Sequence, residues 1–177
     1  MQIHKNVLVR VDKDDLDGDG RFSVPEDVKE IGCTAFMFCN KDLKEINISE
    51  GVEEIETFAF FECENLETVN LPKSMKLVGE LAFFNCYNLR GVEFPEGVKR
   101  IGNGAFTSCE RLDTVIIPET VEKIGTDLFY GCDSLKRLAL PGKFKSQIAD
   151  ILGPYVSDNN ELEILFTEPE KQTVKGE

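Results

Sequence analysis

The chain has few of the residues on which catalytic and metal sites usually depend. His4 is the only histidine among 177 residues, and no two of the six cysteines are spaced as a C-x-x-C pair. Zinc sites are commonly built from such pairs together with histidines. A nucleophile–base arrangement would have to use His4, which lies in the first few residues with nothing to position it. We therefore predict no catalytic residues, no zinc site and no enzymatic activity.

Basic residues and long apolar runs are also scarce. The 20 Lys and Arg residues are outnumbered by 33 Asp and Glu residues, and the formal net charge is −13. Nucleic acids and anionic membrane surfaces attract basic proteins, so neither is predicted as a partner. No stretch approaches the roughly 18 apolar residues of a membrane span, and residues 1–11 lack the apolar core of a signal peptide. The given chain is predicted to be soluble and not inserted in a membrane, and its compartment stays open.

A unit of about 23 residues repeats through most of the chain. Five cysteines are separated by 24, 23, 23 and 23 positions, and each lies three residues after a phenylalanine that follows Ala, or Leu in the last unit. These cysteines are Cys39, Cys63, Cys86, Cys109 and Cys132. Segments of the type Val-x-Leu-Pro recur with the same period and end at Pro72, Pro95, Pro118 and Pro141. Agreement at so many positions predicts a repeat protein whose length and 41% apolar content suit one domain.

Each unit contains one predicted strand and one predicted turn. A unit of this length cannot bury its own apolar edge, so successive units stack and share a core. The L-x-x-V-x-L segment alternates at its end, which predicts a short strand with Val and Leu facing inward. The proline after this segment ends the strand, because proline has no amide hydrogen to donate. The G-x-x-A-F-x-x-C segment predicts a tight helical or 3₁₀ turn on the opposite side.

These motifs resemble the BspA-type leucine-rich-repeat family over about residues 22–141. The elements that carry the resemblance are Ile-Gly and Ala-Phe-x-x-Cys, as in Ile101-Gly102 and Ala105-Phe106. The resemblance implies an α/β solenoid, curved and right-handed, with short parallel strands forming a sheet on its concave side. It also implies a bacterial or protist protein, at the cell surface, secreted or exported as an effector. It supplies no catalytic residues.

The segments on either side of the repeats predict caps. Residues 1–23 are predicted to form a capping strand, in which Val7, Val9 and Val11 alternate, followed by an acidic turn. Residues 24–141 hold five predicted leucine-rich repeats, residues 142–167 a C-terminal cap and residues 168–177 a flexible tail. The cap combines a helix and a strand. Its apolar positions are Phe144, Ile148, Ile151, Leu152 and Tyr155 in the helix and Leu162, Ile164 and Phe166 in the strand.

One acidic segment, residues 15–26, matches the spacing of an EF-hand calcium loop. That pattern has oxygen-bearing side chains at loop positions 1, 3 and 5, glycine at position 6 and glutamate at position 12. The calcium ligands would come from Asp15, Asp17, Asp19, Arg21, Ser23 and Glu26. The flanks do not suit an EF-hand, because residues 7–11 alternate as a strand and Pro25 lies where the second helix would run. The alternative is an acidic β-turn between the cap and the first repeat. No other cofactor is predicted.

The cysteines are predicted to be reduced thiols and not a disulfide framework. Equivalent positions on neighbouring strands lie about 4.8 Å apart with parallel Cβ directions. A disulfide needs Cβ atoms that converge to about 3.8 Å. The five repeat cysteines are therefore expected to act as small buried apolar groups. Cys33 lies outside the repeat position and is expected to be exposed.

Two series of residues are candidates for binding a protein or peptide. The outward strand positions change from polar to apolar toward the C-terminus, in the order Asn47, Asn70, Glu93, Ile116, Ala139 and Leu165. Apolar residues exposed together are typical of an interface. The predicted binding residues are Ile116, Ala139 and Leu165, with Thr114 and Arg137 as the polar rim. A second series lies on the turn side, at Met37, Phe61, Phe84, Thr107 and Tyr130, where packing between turns is the favoured interpretation.

The sequence thus predicts a non-enzymatic module that binds protein or peptide through its concave sheet. Adhesion or host contact is the role that the family resemblance implies. The alternative function is that of a structural surface spacer, stabilised by calcium if the acidic segment binds it. The partner and the oligomeric state are left open.

Overall fold

The chain forms a coil whose successive turns stack on one another. The computed structural model describes residues 1–154 and 161–168. Strands, numbered in chain order, form two seven-stranded sheets that we call the front sheet and the back sheet. The front sheet contains β3 (Arg21–Ser23), β5 (Glu45–Asn47), β7 (Thr68–Asn70), β9 (Gly91–Glu93), β11 (Thr114–Ile116), β13 (Arg137–Pro141) and β14 (Glu163–Thr167). The back sheet contains β1 (Gln2–His4), β2 (Val7–Arg10), β4 (Glu30–Ile31), β6 (Glu54–Ile55), β8 (Leu77–Val78), β10 (Arg100–Ile101) and β12 (Lys123–Ile124).

The front sheet follows the predicted alternation of inward and outward residues. Its strands pair in parallel, so that equivalent residues of successive turns form columns perpendicular to the strands. Val115 and Ile117 are buried, whereas Ile116 between them is 56% exposed. The inward and outward assignment made from the sequence is therefore confirmed at these positions.

The back sheet was not predicted. From β4 to β12 each strand has only two residues, and the strands pair in parallel with one another. The first residue of each strand faces solvent and the second faces the core, as in Glu30 and Ile31. A strand of two residues is too short to show alternation with period two, so no sequence pattern predicts it.

The Ala-Phe-x-x-Cys segment is a run of β-turns, where the sequence predicted a tight helical or 3₁₀ turn. Amides bond to carbonyls three residues back, as from Phe84 to Leu81 at 3.1 Å and from Cys86 to Phe83 at 3.2 Å. Two positions take the left-handed conformation in four of the five repeats, for example Leu81 at φ 51° and Asn85 at φ 60°, and one position, Thr34, does so in the first repeat. Left-handed residues reverse the chain repeatedly, and a helix cannot contain them in succession. The prediction of a tight turn in this segment is confirmed, but the helical or 3₁₀ character predicted for it was wrong.

The core consists of stacked columns of identical residues. Five phenylalanine rings are fully buried, and neighbouring rings in the column stack with centroids 4.6 to 6.2 Å apart. These rings belong to Phe36, Phe60, Phe83, Phe106 and Phe129. The five repeat cysteines are buried in a second column, and all six cysteines are free thiols.

Both ends of the coil have their own elements. At the N-terminus β1 pairs antiparallel with β2, and β2 pairs with β4, so the hairpin extends the back sheet. Leu8 and Val11 are buried and Val9 is 41% exposed, because Leu8 is the residue in register with inward Ile31. At the other end, a 3₁₀ helix (Gly142–Gln147) and α1 (Ile148–Leu152) precede β14. Phe144, Ile151 and Leu152 are buried there. Tyr155 and residues 169–177 lie outside the described residues.

Candidate functional site

The outward face of the front sheet becomes apolar at its C-terminal end. Register places Ile116 beside Ala139 and Ala139 beside Leu165. Ile116 is 56% exposed and Leu165 is 47% exposed, while Ala139 is half-buried between them. The two larger side chains are about 10 Å apart, two strand spacings, with the small alanine forming a notch between them. We call these three residues the C-terminal patch.

Polar residues border the patch on the side where the strands begin. Thr114 and Arg137 are neighbours in the next outward column. The Arg137 guanidinium lies 3.4 Å from the Glu163 carboxylate, and the Thr114 hydroxyl donates a hydrogen bond to Asp113 at 2.5 Å. All five residues predicted for binding therefore lie on one continuous surface, with the polar pair beside the apolar three.

The N-terminal half of the same face is polar and internally paired. The Asn70 amide donates a hydrogen bond of 2.7 Å to the side-chain carbonyl of Asn47. Arg21 lies 3.2 Å from Glu45 on the adjacent strand. These side chains already have hydrogen-bond or ion-pair partners on the same face. This half of the sheet therefore offers no apolar surface comparable to that at the C-terminal end.

A shallow groove joins the two halves. It has a volume of about 540 Å³ and extends across β7, β9 and β11 to Ile116. Gly91 helps to form it, because a Cβ at this position would meet only the Thr114 carbonyl, at 3.8 Å. The groove was not predicted from the sequence, although Gly91 has no side chain in the column of Thr68 and Thr114.

The series on the turn side is largely packed against itself. The rings of Phe61 and Phe84 stack at 5.5 Å, and Thr107 is buried with its hydroxyl donating to the Asp127 carbonyl at 3.1 Å. Met37, at the end of the series, is 46% exposed. Packing between turns, the interpretation favoured from the sequence, describes Phe61, Phe84 and Thr107.

The acidic segment, residues 15–26, has the geometry of a turn capped by Asp17. The Asp17 carboxylate accepts hydrogen bonds of 2.9 Å from the amides of Asp19 and Arg21, and these bonds lower the pKa of Asp17. Asp15 pairs instead with the N-terminal ammonium group. Arg21 and Ser23 lie in strand β3.

No group of three or more His, Cys, Asp or Glu side chains that could hold a metal ion occurs in residues 1–154 and 161–168. The Glu26 side chain is exposed in the turn after Pro25. The calcium site therefore remains a prediction from the sequence.

The thiols and the histidine show no catalytic environment. Burial raises the pKa of Cys39 and of Cys132 to about 12, and it raises the pKa of the other three repeat cysteines as well. Such thiols stay protonated at neutral pH and make poor nucleophiles. Cys33 is exposed, and His4 is exposed on strand β1 at the edge of the back sheet.

Stacked parallel strands, a repeat of about 23 residues and columns of buried Leu, Phe and Cys define a leucine-rich-repeat solenoid. The family model described as the BspA type leucine rich repeat region matches residues 21–150 in six copies. The chain therefore belongs to the BspA-type leucine-rich-repeat family. Repeats of this family are typical of surface proteins and of proteins that act through protein–protein contacts.

Three solved structures have a similar fold. The leucine-rich-repeat protein of Treponema pallidum has a TM-score of 0.68 and 29% identity, covering 70% of this chain and 60% of that one. A leucine-rich cell surface protein of Faecalibacterium prausnitzii has a TM-score of 0.71 and 28% identity, covering 84% and 38%. A leucine-rich-repeat protein of Bacteroides ovatus has a TM-score of 0.64 and 25% identity, covering 85% and 43%. The present chain thus matches less than two thirds of the length of each of these proteins.

No curated protein matches the chain. Among the described residues, no helix has the length and hydropathy that crossing a bilayer requires.

Proposed function

We propose that this chain is a non-enzymatic module that binds a protein or peptide through the C-terminal patch of the front sheet. The observation that carries the proposal is the exposure of Ile116 and Leu165, in register on either side of Ala139. An apolar side chain of the partner fits the notch above Ala139, and Thr114 and Arg137 supply the polar rim.

Ile116 and Leu165 are already about half-buried, so burying the rest of both side chains contributes about 1.5 to 3 kcal/mol together. That gain does not by itself offset the entropy lost on association, so contacts beyond the C-terminal patch must add to it. The groove beside Gly91 leaves room for the partner chain to continue across β9 and β7. We infer an extended segment as the ligand, anchored at the C-terminal patch.

The cell surface is the place that we propose for this activity. The relative from Faecalibacterium prausnitzii is a cell surface protein. A module with an open binding face suits adhesion or contact with other surface proteins. The repeat cysteines also suit this role, because buried thiols of raised pKa resist oxidation.

A comparative pull-down tests the proposal. Immobilised wild-type protein, the double variant Ile116→Asp/Leu165→Asp and the control Met37→Asp are exposed to the same cell-surface extract. Met37 is also an exposed apolar residue, at 46%, but lies on the turn side. Proteins retained by the wild type and by Met37→Asp but lost from the double variant would support the patch. Retention by all three would contradict it.

A further inference from the structure

The outward face of the back sheet carries an ordered column of charges. The first residue of each strand from β4 to β12 faces solvent, and these residues are in register along the sheet. In order they are Glu30, Glu54, Leu77, Arg100 and Lys123. Within these five strands two acidic residues lie on the N-terminal side, two basic residues on the C-terminal side, and a leucine between them, while Val7 of β2 continues the column beyond Glu30. With about 4.8 Å between strands, the column is roughly 19 Å long.

The charged side chains of this column have no ion-pair partner among the described residues, and Glu30 is only partly ionised at neutral pH because its pKa is raised to about 7. Among residues 1–154 and 161–168, none of Glu30, Glu54, Arg100 and Lys123 forms an ion pair. The adjacent column behaves differently, since Lys76 lies 2.6 Å from Glu53 and Lys99 lies 3.5 Å from Glu122.

Like charges at the acidic end interact unfavourably. A hydrogen bond with Glu56, burial and the nearby charges of Glu56 and Glu54 raise the pKa of Glu30 to about 7. A cation placed against the acidic side would reduce the repulsion among these carboxylates. An anion placed against Arg100 and Lys123 would interact favourably with them.

A second copy of the same face supplies both the cations and the anions. A rotation of 180° about an axis parallel to β8, lying between the two copies, brings the faces together and reverses the order of the strands. Glu30 then meets Lys123 of the second copy, Glu54 meets Arg100, and Leu77 meets its own counterpart.

The adjacent outward positions obey the same rule. Their order is Lys29, Glu53, Lys76, Lys99 and Glu122. The same rotation sets Lys29 against Glu122 and Glu53 against Lys99. Only Lys76 meets a like charge, and it is already neutralised by Glu53.

We propose that two copies of this chain associate face to face through their back sheets, with a two-fold axis along β8. Self-complementarity of this kind is what a two-fold interface requires, because each contact occurs twice with its residues exchanged. The contact is narrow, since the back strands have two residues each, so the dimer is weak and depends on concentration. The front sheets stay free in the dimer, which doubles the number of patches available to a partner.

Sedimentation equilibrium over a wide range of protein concentration tests the dimer. A salt concentration of about 0.1 M suits the measurement, because the Debye length of about 10 Å screens repulsion between the acidic chains more than it screens direct contacts. Wild-type protein should show a monomer–dimer equilibrium. Arg100→Glu and Glu54→Arg each set like charges against each other, and each should lower the association constant at least about tenfold.

Mixing the two variants provides the decisive arm. In a mixed dimer, the arginine introduced by Glu54→Arg would face the glutamate introduced by Arg100→Glu. The native Arg100 of the first variant would face the native Glu54 of the second. An equimolar mixture should therefore regain the wild-type association constant. Arg111→Glu, the same charge change at an exposed position outside both sheets, should leave dimerisation unchanged.

Thermal melts followed by circular dichroism confirm that each variant is folded, and Arg100→Gln provides an uncharged replacement. A monomeric wild type, an Arg100→Glu variant that dimerises normally, or a mixture that stays monomeric would each overturn the proposal.

Discussion

Each inward residue packs mainly on its own counterparts in the turns before and after it. Phe60 stacks between Phe36 and Phe83, at 4.6 and 4.9 Å. The Cys86 thiol donates to the Phe60 carbonyl of the preceding turn at 3.3 Å, and Cys132 does the same to Phe106 at 3.1 Å. A change at one such residue is therefore felt in three successive turns.

Thiol labelling tests the cysteine column. In native protein only exposed Cys33 should react rapidly, because the other five thiols are buried and their pKa values are raised. In denaturant, without reductant, all six should react. Recovery of disulfide-linked peptides from neighbouring turns would contradict this arrangement.

Adjacent residues of β11 and its extension test the two faces of the front sheet. Ile116→Asp places a carboxylate in solvent, and it should change the free energy of unfolding by only about 0.5–1 kcal/mol. Ile117→Asp places the same group where the native side chain is 1% exposed, and it should destabilise by several kcal/mol, on the order of 3 or more. Urea denaturation measures both. A larger loss for Ile116→Asp would mean that the two faces are assigned the wrong way round.

At the scale of elements, the sequence predicted the features that depend on a repeated pattern of side chains. The Val-x-Leu-Pro period placed the front strands, and the Phe-x-x-Cys spacing placed the buried columns. The left-handed positions in the turns were not predicted, because Thr34, Phe58 and Leu81 have the same backbone conformation but chemically different side chains. The backbone there is held by bonds to the next turn, such as Phe83 to the Ala105 carbonyl at 2.8 Å, and these bonds need no particular side chain.

The binding patch was foreseeable only in part. Its outward direction followed from alternation, and Leu165 could be placed on the outward face because Ile164 and Phe166 on either side of it alternate inward, although it lies 26 residues after Ala139 and not 23. The groove beside Gly91 depends on the surrounding surface in three dimensions, which a linear pattern does not describe. The charge column of the back sheet could not be predicted, because the back sheet itself was not predicted.

Glycines follow four of the five back strands from β4 to β12, with Glu56 after β6 as the exception, at a corner where adjacent turns approach closely. A Cβ on Gly102 would lie 2.5 Å from the Glu80 nitrogen and 2.6 Å from the Gly79 carbonyl carbon. Gly102→Ala should therefore destabilise the protein by about 1–3 kcal/mol, since main chain cannot move aside as a side chain can. Gly18→Ala is the matched control, because a Cβ there meets nothing within 4 Å. Equal melting temperatures for the two variants would show that the corner is looser than described.

The acidic turn makes a separate prediction. Asp17→Ala removes an acceptor for two backbone amides and should cost about 1 kcal/mol without any metal present. If residues 15–26 also bind calcium, millimolar calcium should raise the melting temperature of the wild type and not of the variant. A wild type that does not respond to calcium would leave this segment a turn only. A variant as stable as the wild type without metal would contradict the capping role of Asp17.

At the scale of the whole molecule, the coil separates two surfaces by their chemistry. The front sheet offers an apolar patch with a polar rim, and the back sheet offers charges in an order that its own copy can complement. Neither surface requires an enclosed pocket. Solenoids present such long open faces because each turn contributes only a few side chains to them.

Binding of an identified partner to a single-residue variant of the patch is the most direct test of the proposed function. Titration calorimetry would compare wild type, Ile116→Asp and Met37→Asp with the same partner, at protein concentrations where all are folded. The proposal predicts that Ile116→Asp raises Kd at least about tenfold, because a buried unpaired carboxylate replaces a central apolar contact, while Met37→Asp stays within about twofold. An unchanged Kd for Ile116→Asp, with the loss appearing in Met37→Asp, would place the binding surface on the turn side and contradict the role given to the front sheet.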